Sequence, residues 1–114
     1  MTRGYRPLVA IAEAQRKATA WGFIVINVIS ATKFPFDFMI HDRGCTSMVR
    51  VRRLKYAGYS PEEIGRSCAQ EIRELHELRD RSGIYRELWV RGPDRTWHRY
   101  LILPWSIEYL ENRI

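Results

Sequence analysis

Asp37, Arg50 and Arg52 are the residues whose types and spacing bear most directly on chemistry. Asp37 opens the apolar run Phe36-Asp37-Phe38-Met39-Ile40, and Arg50 and Arg52 alternate with Val49 and Val51 in a second run further along. If the two runs pair as strands, cross-strand neighbours on one face bring the three side chains together. A carboxylate is a hard oxygen ligand of the kind that anchors Mg²⁺. A guanidinium offers parallel N–H donors that match phosphate oxygens. The trio therefore points to a phosphate-handling site. Plainer roles compete with that reading. Asp37 caps a strand or pairs with a neighbouring arginine, and Arg50 and Arg52 form the wet face of a half-buried sheet.

The elements that must position these residues follow from periodicity and punctuation. Pro7 at the start and Gly22 past the end bracket a helix with Leu8, Ile11, Ala12, Ala14, Ala18 and Trp21 as its apolar surface. Glu13 on this helix precedes Arg16 and Lys17 by three and four residues, the spacing of ordinary surface ion pairs. Phe23 to Ile29 is a near-continuous β-branched run and reads as a buried strand. Phe36 to His41 and Thr46 to Leu54 read as a hairpin around the turn Asp42-Arg43-Gly44. Ser60-Pro61-Glu62-Glu63 is a capping box that opens a second helix. Its stripe is Ile64, Cys68, Ile72, Leu75 and Leu78, and Ser82-Gly83 ends it. A second hairpin runs from Tyr85 to Val90 and from Thr96 to Leu103, around Gly92-Pro93-Asp94. Pro104 stops it, and Trp105 to Ile114 reads as a short terminal helix. The order α-β-β-β-α-β-β predicts one α/β domain over residues 1–114, with a central mixed sheet flanked by helices.

Charge narrows the partner. The chain carries 19 Lys and Arg against 13 Asp and Glu, and only Lys17, Lys33 and Lys55 are lysine. Residues 1–59 hold ten of the bases and three of the acids, Glu13, Asp37 and Asp42. An arginine-rich, one-sided field suits a polyanion, since bound cations release condensed counterions. Arg16, Lys17, Lys33, Arg50, Arg52, Arg53 and Lys55 are the expected nucleic-acid contacts, with DNA preferred over RNA. No apolar run is long enough to span a bilayer and no signal-like segment opens the chain, so a cytoplasmic protein with no membrane partner is expected. Cys45 and Cys68, and His41, His76 and His98, are too scattered for a zinc site. The cysteines read as reduced. Trp89, Trp97 and Tyr100 read as cross-strand packing before they read as base-stacking platforms.

Over roughly residues 8–103 this layout resembles the PD-(D/E)XK nuclease superfamily, which includes archaeal Holliday-junction resolvases. The resemblance implies a restriction-endonuclease-like fold. It also implies a metal-binding site built from a helix-one acid, the Asp opening strand two, and a Glu-x-Lys triplet on strand three. Matched residue by residue, the acids are Glu13 and Asp37, and the triplet falls on Arg50-Val51-Arg52. The carboxylate and the lysine of the triplet are therefore both arginine here, and Phe36 splits the Pro-Asp pair. Arg52 stays protonated at any working pH and cannot accept a proton. The expectation is a nucleic-acid-binding protein with a nuclease-like fold and no cleavage, needing no cofactor. One alternative is a Mg²⁺-dependent DNA endonuclease that uses Asp37 as metal ligand, Glu13, and a carboxylate relocated to helix two, where Glu63 and Glu71 lie. The other is a partner-binding protein, a homodimer among the options, that uses the aromatic second hairpin.

Overall fold

A computed structural model describes residues 6–27, 34–78 and 83–110. Helix α1 (Leu8–Ala20) starts after Pro7, whose carbonyl accepts the Ile11 N–H, and ends where Gly22 turns the chain at φ +94°. Ala10, Ala14 and Ala18 recur at steps of four on its buried side. Such small residues let the helix axis lie close to the sheet beneath.

The sheet has six strands in chain order: β1 (Ile24–Asn27), β2 (Phe38–Asp42), β3 (Cys45–Arg53), β4 (Ile84–Arg91), β5 (Trp97–Ile102) and β6 (Ile107–Leu110). Every neighbouring pair is antiparallel except the central one, β3 with β4, which is parallel. A parallel pair needs a crossover, here α2 (Pro61–Ser67) and α3 (Ala69–His76). Strands β2 and β3 meet through Arg43 and Gly44, both at positive φ, as a tight hairpin turn requires.

Helix α1 covers one sheet face over Phe38, Ile40, Val49, Val51, Trp89 and Trp97. Helices α2 and α3 cover the other over Leu88, Val90, Tyr100 and Ile102. Trp89, Trp97 and Tyr100 are thus core residues, and the second hairpin does not present them as an aromatic interface. Cys45 is exposed and Cys68 buried, and neither is in a disulfide. No helix among the described residues is long and apolar enough to cross a membrane.

Three expectations change. The run from Phe23 is an edge strand, not a buried one: Ile24 and Ile26 are 62% and 41% exposed. Only its alternate residues Phe23 and Val25 pack on the α1 core, because α2 and α3 lie over the later strands. Residues 28 and 29 lie outside the described residues. Second, the expected single helix is broken at Cys68 into α2 and α3 and ends at His76. Its capping box forms as the sequence indicates, Ser60 accepting from the Glu63 N–H and Glu63 from the Ser60 N–H. Ser67 Oγ then donates to the Glu63 carbonyl four residues back, a bond that competes with the helix ladder and bends it. Third, of the helix expected over Trp105 to Ile114, Ile107–Leu110 is strand β6 instead, and residues 111–114 lie outside the described residues. Leu103 N–H bonds the Ser106 carbonyl, turning Ile107 and Tyr109 back along β5.

Candidate functional site

Asp37 sits one residue before β2, where its backbone N–H reaches the Val49 carbonyl at 2.7 Å. Its side chain is only 2% exposed and both oxygens are committed. Oδ1 accepts from the Arg6 guanidinium, and Oδ2 accepts the Val51 N–H at 2.7 Å. The carboxylate thus both caps the strand and anchors the segment leading into α1.

Arg50 and Arg52 project from β3 toward α3. Arg50 is buried, at 8% exposure, which rules out the wet-face reading for it. Its Nη1 donates to Glu74 Oε1 at 3.1 Å and to the Pro35 carbonyl at 3.0 Å, and its Nε stands 4.0 Å from Asp37 Oδ2. Burial and the nearby Arg6 charge lower the Arg50 pKa, while Asp37, Glu74 and Glu71 oppose the shift. Arg52 donates to Glu71 Oε2 at 2.8 Å and is partly exposed. The other oxygen, Glu71 Oε1, is buried with no hydrogen-bond partner among the described residues. One ionic chain, Arg6–Asp37–Arg50–Glu74, therefore ties the start of α1, the sheet and α3, with Arg52–Glu71 beside it.

Glu13 does not join this group. Its Oε1 lies 2.8 Å from Arg91 Nε, tying α1 to β4. Glu63 is spent on the capping box. Arg16 and Lys17 are exposed on α1, and Lys33 lies outside the described residues. The sequence reading passed over Arg6, Glu74 and Arg91. Glu71 and Glu74 carried a usable signal, since each immediately precedes a member of the apolar stripe, Ile72 or Leu75, and so flanks the face that meets the sheet.

Beyond Arg52 the end of β3 opens into a groove of about 790 Å³ running to α2. Arg52, Arg53, Lys55 and Arg66 line it, with Glu63 the one acid and Tyr56 exposed at 82%. Arg53, Lys55 and Arg66 all reach solvent. Four cations against one carboxylate make a concave positive surface that attracts phosphate oxygens.

The residues at Asp37 do not fit a divalent ion. Such an ion needs several hard oxygens with free lone pairs. Here the Asp37 oxygens are held by Arg6 and Val51, Glu71 and Glu74 are each paired with an arginine, and Glu71 Oε1, without a partner, is a single oxygen where an ion needs several. No cluster of three or more metal-ligating side chains forms among the described residues.

No family model matches the chain, and no curated relative matches it. Among solved structures it is similar to Hjc of Archaeoglobus fulgidus, a Holliday junction resolvase from an archaeal hyperthermophile. The TM-score is 0.59 at 17% identity, over 81% of this chain and 72% of that one. A likeness at this identity is one of fold. The chain is an α/β domain with, among the described residues, a mixed six-stranded sheet and three helices, built on the fold of that resolvase.

Proposed function

We propose that the chain binds the phosphate backbone of nucleic acid, DNA in the first instance, along the groove at the end of β3, and does not cut it. The observation that carries this reading is the contrast between two adjacent regions. At Asp37 every carboxylate is neutralised by a buried or half-buried arginine, whereas in the groove Arg53, Lys55 and Arg66 stand exposed with a single acid. Arg52 borders both regions. Arg50 belongs to the internal network and supports the sheet from behind. The resolvase-like fold adds to this reading, since that neighbour acts on a DNA junction.

Affinity for labelled duplex and single-stranded DNA, measured across a series of salt concentrations, tests the proposal. Binding should weaken steeply with salt and without marked sequence preference. Arg53→Ala, Lys55→Ala and Arg66→Ala together should flatten the log–log slope for duplex by about 2 to 3, because each lost phosphate contact removes about 0.9. A flat slope for the unaltered protein, or an unchanged slope in the triple variant, defeats the assignment.

A further inference from the structure

The groove at the end of β3 holds more than charge. Leu54, Tyr56 and Ala57 line it together with the cations, so apolar surface is interleaved with guanidinium and ammonium groups. Phosphate oxygens do not call for apolar surface, whereas the faces of nucleic-acid bases do. The Tyr56 ring dominates that surface, at 82% exposure. Among the described residues it joins no hydrogen bond, ring pair or cation contact, so the ring is open to a ligand.

The backbone that carries the ring is fixed at both ends. The Leu54 N–H bonds the Arg91 carbonyl at 2.9 Å, which holds the chain as it leaves β3. On the far side the Tyr59 ring stacks on His98, the Tyr59 carbonyl accepts from the Tyr100 hydroxyl, and Ser60 caps α2. Lys55, Tyr56, Ala57 and Gly58 span the distance between these anchors. Tyr56 is thus presented next to Lys55 on a short, tethered connection, with Arg53 on the strand side of the groove and Arg66 on the α2 side. Trp105, 96% exposed, makes the contrast. It lines a groove with His76 and the acid Glu62 but no described lysine or arginine, and so lacks the charge that draws a polyanion.

We infer that Tyr56 is a stacking platform for an unpaired base, which makes single-stranded nucleic acid the ligand class of the groove. The inference rests on the proposal that the groove binds phosphate, and it names what carries that phosphate. In a duplex each base face is covered by its neighbours, and a protein ring reaches one only after the stack has been opened at a cost. In a single strand the bases can be splayed out and laid on an aromatic ring while cations follow the backbone. Stacking of this kind accepts any base, because every base has a π face. A duplex meets the same groove through charge alone.

Fluorescence anisotropy with three labelled probes tests this: an oligothymidylate, a strand of the same length made of abasic sites, and a hairpin duplex. The abasic strand keeps every phosphate and lacks every base. The unaltered protein should bind oligothymidylate roughly tenfold more tightly than the abasic strand. Tyr56→Ala should erase that difference by weakening oligothymidylate alone, with the abasic strand, the duplex and all salt slopes unchanged. Tyr56→Trp should keep the difference or widen it, which a merely structural role for the tyrosine would not do. Oligouridylate set against the same control separates the sources, since the strand that gains more from Tyr56 identifies RNA or DNA. Equal affinity of the unaltered protein for oligothymidylate and the abasic strand overturns the inference, as does a Tyr56→Ala loss shared by all three probes. Either result with a steep salt slope retained leaves the phosphate-binding groove standing, whereas a flat slope with every probe defeats both.

Discussion

Arg50 Nη1 lies 3.1 Å from Glu74 Oε1, so a side chain in the middle of β3 is tied to the helix stacked above it. Because both groups are largely withdrawn from water, removing one strands the other. Arg50→Met should cost about 3–5 kcal/mol of stability, read from urea midpoints. Adding Glu74→Gln should restore part of that loss, since the uncompensated charge is then gone. A cost below about 1 kcal/mol would mean that the pair behaves as a surface contact.

Calorimetry with Mn²⁺ should give no saturable heat for the unaltered protein, and gels should show single-stranded, duplex and four-way-junction DNA left intact. The combination Arg50→Glu with Arg52→Lys replaces a buried cation by a carboxylate next to Asp37 and should create measurable Mn²⁺ binding. Strong cleavage by the unaltered protein, lost in Asp37→Ala, would establish an endonuclease instead.

His98 stacks on Tyr59 with ring centroids 3.8 Å apart, and both its nitrogens are bonded. Thr96 Oγ1 donates to Asp94, so it accepts from His98 Nε2–H, and His98 Nδ1 accepts from the Tyr109 hydroxyl. That arrangement suits neutral imidazole, and burial lowers the His98 pKa below its ordinary 6.5. The unfolded chain then binds the proton more readily. The contribution of His98 to stability is complete above about pH 6.5 and is lost as the pH falls through the lower folded value. Thermal melts between pH 7 and 5 should show this loss, and His98→Gln should shrink it. An identical pH profile in the variant would show that other groups cause the slope.

Gly92 is required for space. A β-carbon there would fall 1.9 Å from the Tyr59 hydroxyl oxygen and 2.7 Å from Asp94 Oδ1. The Tyr59 ring is held by its stack on His98 and its bond to Asp94, so it yields only with loss of both. Gly92→Ala should destabilise by about 1–3 kcal/mol, as overpacking does. In a Tyr59→Ala background the same change should cost clearly less, since only the Asp94 contact remains. Equal costs in the two backgrounds would exclude the clash.

Much of the architecture was legible because local signals agreed with one another. The capping box at Ser60 to Glu63, the Asp42-Arg43-Gly44 turn and the alternation through Val49 and Val51 each rest on a few adjacent residues. The failures are positions where tertiary context decides. Ile107 to Leu110 is too short to distinguish helix from strand until β5 offers an edge to pair with. The apolar run after Phe23 promised a strand buried on both faces, but only one helix layer reaches it. At the candidate site, Asp37 and Arg50 were visible as types in a pattern. Arg6 and Glu74, which determine what Asp37 and Arg50 can do, come from distant segments and appear only once α1 and α3 are docked.

The central parallel pairing has a consequence for how the chain reaches this state. Neighbouring strands on either side of it form antiparallel pairs, so β1–β2–β3 and β4–β5–β6 are two meanders that can assemble from nearby sequence. Bringing Thr46 beside Ile84 and Arg53 beside Arg91 instead closes a long loop through α2 and α3, and pays its entropy before any contact repays it. Closing the seam between the meanders is therefore expected to be the late, slow event of folding. Substitutions at Val51, Leu88 or Trp89, buried along that seam, are therefore expected to slow folding, and one at Ile107 on the rim to speed unfolding instead, a contrast that chevron kinetics would read.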